Sequence, residues 1–427
     1  MRASRRPWGL CLALITAIGL AVAGCDGAQP PEPDATAAAT PFPVAIHIAN
    51  VPTDLTVGVV VSLTSPVGEG SQWKDAAQGA ALAAWRLRQA GISVTVKTVD
   101  DKGTDAGAQA AVSALAADRV SAILVATSGS HVDAELAAAS GAGILAVAPY
   151  AYQQKDLPAG AWVTGPSASA VQTSTQAALA HLGATRPVGI VVGNAPLPVQ
   201  TVQTIAVDPS ASAASLAETV TLRAKGLGGD AFVVSGDATQ AATVATALQG
   251  AGLTQPVVFS PDALSPAFAA GLAAQAGSAS GNYWTVGPSD DDSAALAPSL
   301  DGQAVSAFLA ADRQAAQDSS AMNLTGDEPF SSVAAFADVS SHDAFLAVVA
   351  AAASARSVAP ADVAAAMGTL TVNHADGLAG PELTFTSPYA LADSAVTYLH
   401  ASPQVTGLRP SAAASAPSLD WFPVATS

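Results

Sequence analysis

Cysteine is nearly missing from this chain: its 427 residues include two, Cys11 and Cys25. Basic residues are scarce too, with 16 Lys and Arg against 33 Asp and Glu and a formal net charge of −17. A chain this acidic has no electrostatic footprint for nucleic acid. Aromatic residues make up 5% of the chain although hydrophobic residues make up 50%, a gap that reflects alanine, as in Ala350 to Ala353. Alanine favours helix and buries little area, so the positive mean hydropathy does not signal membrane insertion. Beyond the leader, no uncharged, strongly apolar run reaches the length a bilayer requires. There is no Gly-x-Ser-x-Gly elbow, no Walker loop and no His-Glu-x-x-His, and the six His are scattered singly. Ser130, His131 and Asp133 are triad residue types, but neighbours on one short segment cannot adopt a triad's mutual geometry. No enzyme activity, cofactor or metal is expected.

The leader comes first. Arg2, Arg5 and Arg6 precede an apolar segment, Leu10 to Ala23, that ends in Val22-Ala23-Gly24-Cys25. A basic start, a short apolar middle and a small-residue end describe an export signal over 1–24. The last four residues resemble a bacterial lipobox, which implies cleavage before Cys25 and acylation of that residue, with palmitate among the expected chains. Cys25 would then be the sole mature cysteine, so no intrachain disulfide could form. Loss of the three arginines would take the formal charge from −17 to −20, so membrane contact would be through lipid, and several acyl chains hold stably where one does not. Residues 25–53 are rich in Pro and Ala and read as a flexible tether.

The rest alternates strand and helix. Leu55 to Val61 is a strand, followed by a loop with Pro66, Gly68 and Gly70, then a helix from about Trp73 to Gln89 with an apolar stripe. Ser93 to Val99 is the next strand, and Ala108, Ala111, Val112 and Leu115 mark another helix. Ile123 to Tyr152 forms a strand, loop, helix, strand unit. Fully apolar strands alternating with helices predict an α/β chain with doubly wound parallel sheets, which bind ligands at the carboxyl ends of their strands. A second series starts at Val188 to Val192 and continues with strands at Ala231 to Val234, Pro256 to Phe259 and Asn282 to Val286. After an acidic loop, Asp290 to Asp292, helices are expected near 302–318, 343–354 and 360–367, then strands at 382–386 and 395–400. Residues 402–427, rich in Ser, Ala and Pro, read as a partly unstructured tail.

This order, together with Val57 to Leu63 plus Ser65-Pro66, the Asp100-Asp101 turn, Val120 to Pro149 and the Gly377-Leu378-Ala379-Gly380-Pro381 turn, resembles the type I periplasmic binding proteins. Within them it resembles the branched-chain amino acid (Leu/Ile/Val) substrate-binding family of ABC importers. The resemblance implies two lobes joined by three crossovers, near Thr164, Val286 and Gly380, that close on a small ligand. It assigns 54–165 plus 287–380 to lobe I and 166–286 plus 381–401 to lobe II. Where the family runs Tyr-Gly into a long helix after Val192, this chain has Gly193-Asn194-Ala195-Pro196-Leu197-Pro198. Two prolines disfavour helix, so lobe II is expected to be abbreviated.

Candidate ligand residues follow. Ser128, Gly129 and Ser130 lie where a strand ends and a helix begins, so N–H groups and two hydroxyls converge on a positive helix end, an arrangement that suits a carboxylate; helix capping by Ser130 is the structural alternative. Tyr150 and Tyr152 stand where the family has a small hydroxyl. Asp262 sits where the family places an acid against the ligand's ammonium group, and Asp237 follows a similar strand end; each could instead cap a helix. Trp73 is the candidate apolar wall, or else a core residue. The expected protein is therefore a monomeric, lipid-anchored, extracytoplasmic binder of an amino acid or a related carboxylate or amide, serving an ABC permease. A same-fold sensor or scaffold without transport is the alternative.

Overall fold

In this computed structural model the chain is described over residues 41–154, 156–410 and 419–424. Cys25 and the leader lie outside these residues. The first sheet contains β1 (Thr56–Val61), β2 (Thr95–Asp100), β3 (Ala122–Val125), β4 (Leu145–Ala148) and β5 (Ala161–Val163), in the order β2-β1-β3-β4-β5 and parallel throughout. Alternation of side chains across these strands divides their apolar residues between two layers. Val57, Val59, Val61 and Leu124 pack on one face, against helix α1 (Gly79–Gln89). Val60, Ile123 and Val125 pack on the other, against α2 (Asp105–Ala117) and α3 (Val132–Gly141). Each fully buried Val or Leu contributes roughly 1.5–3 kcal/mol, which explains why so few aromatic residues suffice.

The second sheet receives the chain through α4 (Ala168–His181), capped by Ser167, whose hydroxyl accepts from Ala170 N. Its parallel part is β6 (Pro187–Val192), β7 (Gln203–Val207), β8 (Ala231–Ser235), β9 (Val257–Phe259) and β10 (Tyr283–Pro288), with helices α5 (Ala213–Ala224), α6 (Ala238–Gly250) and α7 (Pro266–Ala274). The chain then returns to the first sheet with α8 (Leu300–Gln317), α9 (Val339–Ala355) and α10 (Pro360–Met367), followed by a small ribbon of β11 (Thr371–Val372) and β12 (Leu383–Thr384). Finally β13 (Val396–Ser402) and β14 (Asp420–Pro423) add antiparallel strands to the second sheet, in the order β14-β13-β10-β9-β8-β6-β7. The chain thus passes between the sheets three times, after β5, β10 and β12. Among the described residues no single helix is long and apolar enough to cross a membrane. The apolar sequence of α9 is that of a core helix, buried almost all round.

Between β6 and β7 the chain runs without a helix, through Pro196 and Pro198, and the second sheet has seven strands against five in the first. Two expectations need correction. The helix expected from Trp73 begins instead as 3-10 turns at Ser71–Trp73 and Ala76–Gln78, and only Gly79–Gln89 is α-helical. The tether docks before Thr53: Ile46 is buried in the first core, and the Arg86 side chain donates to Pro43 O and Val44 O. The described part of the tail, residues 402–410 and 419–424, is held in place: β14 pairs with β13 and Arg409 Nε contacts Asp292 at 2.8 Å.

Candidate functional site

Both sheets turn the carboxyl ends of their parallel strands toward a cleft of about 840 Å³. From the first sheet come the loop after β1, with Glu69 and Gln72, the loop after β3, with Ser128, Gly129 and Ser130, and the loop after β4, with Tyr150 and Tyr152. Opposite lie Asn194 after β6, Asp237 after β8 and Asp262 after β9. Seven of the eight candidate ligand residues line this space. Trp73 does not: it stacks on Tyr150, with centroids 4.1 Å apart and planes 9° apart, and faces an inner cavity of about 100 Å³ toward the crossovers.

Asp262 is the point where the lobes meet. Burial raises its carboxyl above the ordinary range, against the pull of hydrogen bonds from Tyr152 and Ser260. Tyr152 Oη donates to Oδ2 at 2.6 Å and Ser260 Oγ at 3.0 Å, while Gln72 Nε2 approaches Oδ1 at 3.4 Å. Gln72 Nε2 also donates to Ser128 Oγ at 3.2 Å, and the Gln72 backbone carbonyl accepts from Ser265 Oγ at 2.6 Å. Tyr152 and Gln72 belong to the first lobe and Asp262 and Ser265 to the second, so the cleft is closed here by hydrogen bonds. Tyr150 Oη points away, to Asp338 Oδ2 at 2.9 Å.

Asp237 is a helix cap, but only half of its carboxylate is used. Oδ1 accepts from Thr239 N at 2.7 Å and Gln240 N at 3.1 Å. Oδ2 has no hydrogen-bond partner among the described residues. Burial, opposed by the backbone bond from Gln240 and assisted by the charge of Asp262, pushes this carboxyl up to about 6.

The loop Ser128–Ser130, expected to receive a ligand carboxylate, is engaged by a protein carboxylate instead. Glu69 accepts from Ser130 N at 2.8 Å and from Ser130 Oγ at 3.0 Å, and lies 3.1 Å from His131 Nδ1. Burial works against these bonds, yet His131 and Ser130 together hold Glu69 below the ordinary glutamate range. His131 Nε2 in turn lies 2.9 Å from Asp101 Oδ2, and Ser62 Oγ donates to Asp101 Oδ1 at 2.6 Å. Burial lowers the imidazole's proton affinity, but its bonds to Asp101 and Glu69 raise it to about 9, so His131 is a cation at neutral pH. Beneath it Glu135 is fully buried, with neither oxygen partnered. Asp101, His131 and Glu135 present ligand-capable atoms within 4.8 Å of one another. Sequence reasoning does not mark Glu69, Gln72 and His131 as site residues, because the contacts that define them span 30 to 193 positions.

Neither a family model nor a curated protein sequence matches this chain. Solved structures do. The branched-chain amino acid transporter substrate-binding protein LivJ from Streptococcus pneumoniae, in complex with isoleucine, superposes with a TM-score of 0.59 at 17% identity, covering 87% of this chain and 100% of that one. This chain has the type I periplasmic binding protein fold. The leucine-binding protein LivK from Thermotoga maritima gives a TM-score of 0.58 at 17% identity, covering 86% of this chain and 97% of that one. A solute-binding protein from R. palustris in complex with 4-hydroxybenzoate gives 0.60 at 14% identity, covering 87% and 96%. In type I periplasmic binding protein terms the 840 Å³ space is the interlobe cleft, and Asp262 is its principal bridge.

Proposed function

We propose that this protein is an extracytoplasmic solute-binding protein that captures a small polar metabolite bearing an amino group in the interlobe cleft and delivers it to an ABC importer. Acylation of Cys25 anchors it to the membrane, and capture requires no catalysis. The observation that carries this reading is the acid wall of the second lobe: Asp237 Oδ2 is unpartnered, and Asp262 is held at the seam between the lobes. A buried carboxylate oxygen needs a hydrogen-bond donor, and an ammonium group supplies both hydrogen and charge. The solved relatives that bind isoleucine and 4-hydroxybenzoate support the use of this fold for small solutes. Closure about the three crossings would then be the response, because a ligand touching both lobes favours the closed state.

A thermal-shift screen of the purified protein against amino acids, amines and small carboxylates tests the reading. A ligand that binds only the folded state raises the melting temperature by mass action. At least one amino-bearing solute is expected to do so, and Asp237→Asn to diminish the shift. A screen without hits, or a hit indifferent to both Asp237→Asn and Asp262→Ala, removes the cleft assignment.

A further inference from the structure

Glu69 occupies the donors that an anionic ligand group would use. At the end of β3 the chain offers the Ser130 N–H, the Ser130 hydroxyl and the positive N-terminal end of α3, and Glu69 takes the first at 2.8 Å and the second at 3.0 Å. His131, buried behind the loop, fixes the glutamate through Nδ1 at 3.1 Å and is itself fixed by Asp101 through Nε2 at 2.9 Å. The loop is shaped around this carboxylate: Gly129 has a φ of 122°, and a Cβ there would strike Glu69 Oε2. A ligand carboxylate would have to displace an ion-paired glutamate or lie beside it, and two anions in a shielded cleft repel.

The opposite wall has the complementary property. Asp237 is 7% exposed, its Oδ2 has no partner among the described residues, and that oxygen lies across the cleft from Gly68, 3.4 Å from where a Cβ on that glycine would sit. Asp262 is already served by Tyr152, Ser260 and Gln72. Among the described residues lining the cleft, Glu69, Asp133, Asp156, Asp237 and Asp262 are acidic and none is Lys, Arg or His; Lys155, between the lining residues Gln154 and Asp156, lies outside the described residues. Among the described groups, the free interaction at Asp237 Oδ2 is one for a donor.

We propose that Glu69 is a built-in occupant of the anion subsite, so that the cleft selects a cationic solute without a carboxylate, an amine or guanidine whose charged group pairs with Asp237. This inference rests on the cleft being a solute site, as proposed above. Glu69 sets specificity by excluding the amino acid counterpart of such a solute.

Matched pairs test it: lysine with cadaverine, ornithine with putrescine and arginine with agmatine, titrated calorimetrically into the purified protein, with isoleucine and 4-hydroxybenzoate alongside. At least one amine is expected to bind ten-fold or more tightly than its parent amino acid. Glu69→Ala should narrow that gap at least ten-fold by admitting the carboxylate. Glu69→Gln, which keeps an acceptor for Ser130 N, should narrow it as well if the alanine variant melts early. Asp237→Asn keeps an N-capping oxygen and should weaken amine binding ten-fold or more. A parent amino acid or 4-hydroxybenzoate binding the wild type as tightly as the amines would overturn the inference and leave solute capture standing, as would a preference unchanged in both Glu69 variants. Binding of none of these probes would overturn both readings.

Discussion

The Tyr152 phenol donates to Asp262 Oδ2 at 2.6 Å, from the loop after β4 to the 3-10 turn after β9. This hydrogen bond joins the two sheets directly across the cleft. It also satisfies a carboxylate that is 5% exposed and that no basic side chain among the described residues pairs with by an ion pair. The seam therefore depends on a neutral donor, so it can open without separating opposite charges.

Tyr152→Phe should loosen this seam while leaving each lobe intact. A hydrogen bond to a charged group contributes about 1.5–3 kcal/mol, and the ring's packing is retained. The expected result is a larger radius of gyration by small-angle scattering in the ligand-free protein. An unchanged radius would show that Gln72 and Ser265 hold the lobes without it.

Stability should fall as pH rises from about 5 to 8. Behind the cleft burial pushes Asp290 up to about 8, assisted by the charges of Asp343 and Asp338. Burial also pushes Asp312 up to about 7 and Asp338 up to about 6. A carboxyl with a raised folded value binds its proton more tightly when folded. Its contribution is complete below the unfolded value near 3.8 and is lost as pH climbs through the folded one. His131, raised to about 9, loses its contribution between 6.5 and 9, in the same direction. His342 is lowered by burial and opposes them only as pH rises toward 6.5. Melting curves at pH 5.5 and 8 measure the difference, and Asp290→Asn should shrink it. A higher melting temperature at pH 8 would contradict the assignment.

Much of this fold is legible in the sequence because its strands are buried on both faces. Val57 to Val61 and Ile123 to Val125 are continuous apolar runs, and parallel strands under helices need no alternation with polar residues. What escapes is what breaks that rule. β7, Gln203–Val207, is an edge strand with three exposed residues of five, and β14 lies in a Ser/Ala/Pro-rich tail. The site was partly legible, since strand ends point to Ser128–Ser130, Asp237 and Asp262. Asp237 reads both as a cap and as a ligand residue; its Oδ1 caps α6, and its Oδ2 has no partner among the described residues. The pairing of Glu69 with Ser130 spans 61 positions and leaves no local signature.

Glu135 tests whether an orphaned buried acid weakens the first lobe. Burial raises its carboxyl well above the ordinary range, and the neighbouring Asp101 charge adds to the effect while His131 opposes it. Neither of its oxygens has a hydrogen-bond partner among the described residues. Glu135→Met removes an unsatisfied polar group at similar volume and should stabilise by about 1–3 kcal/mol, read as a higher denaturant midpoint. A lower midpoint accompanied by loss of a bound divalent ion, detected by elemental analysis, would show instead that Asp101, His131 and Glu135 hold a cation.

Arg409 should prove the most costly single loss outside the cleft. Its Nε donates to both oxygens of Asp292, at 2.8 and 2.9 Å, and its Nη1 donates to Ala337 O. Asp291, Asp312 and Asp420 surround the pair, and both oxygens of Asp312 lack hydrogen-bond partners, so the guanidinium compensates for more than one charge. Arg409→Met leaves Asp292 buried without its counter-ion, a change that costs about 3–5 kcal/mol. Removing residues 403–427 should cost more, because β14 and its backbone bond from Trp421 N to Asp291 are lost as well. Urea denaturation of the wild type, Arg409→Met, Asp292→Asn and the double variant supplies a complete cycle. Strong coupling between the two single changes is expected, since each breaks the same pair. Additive effects, or a truncated protein as stable as the wild type, would mean that the tail only rests against the crossover and carries none of its stability.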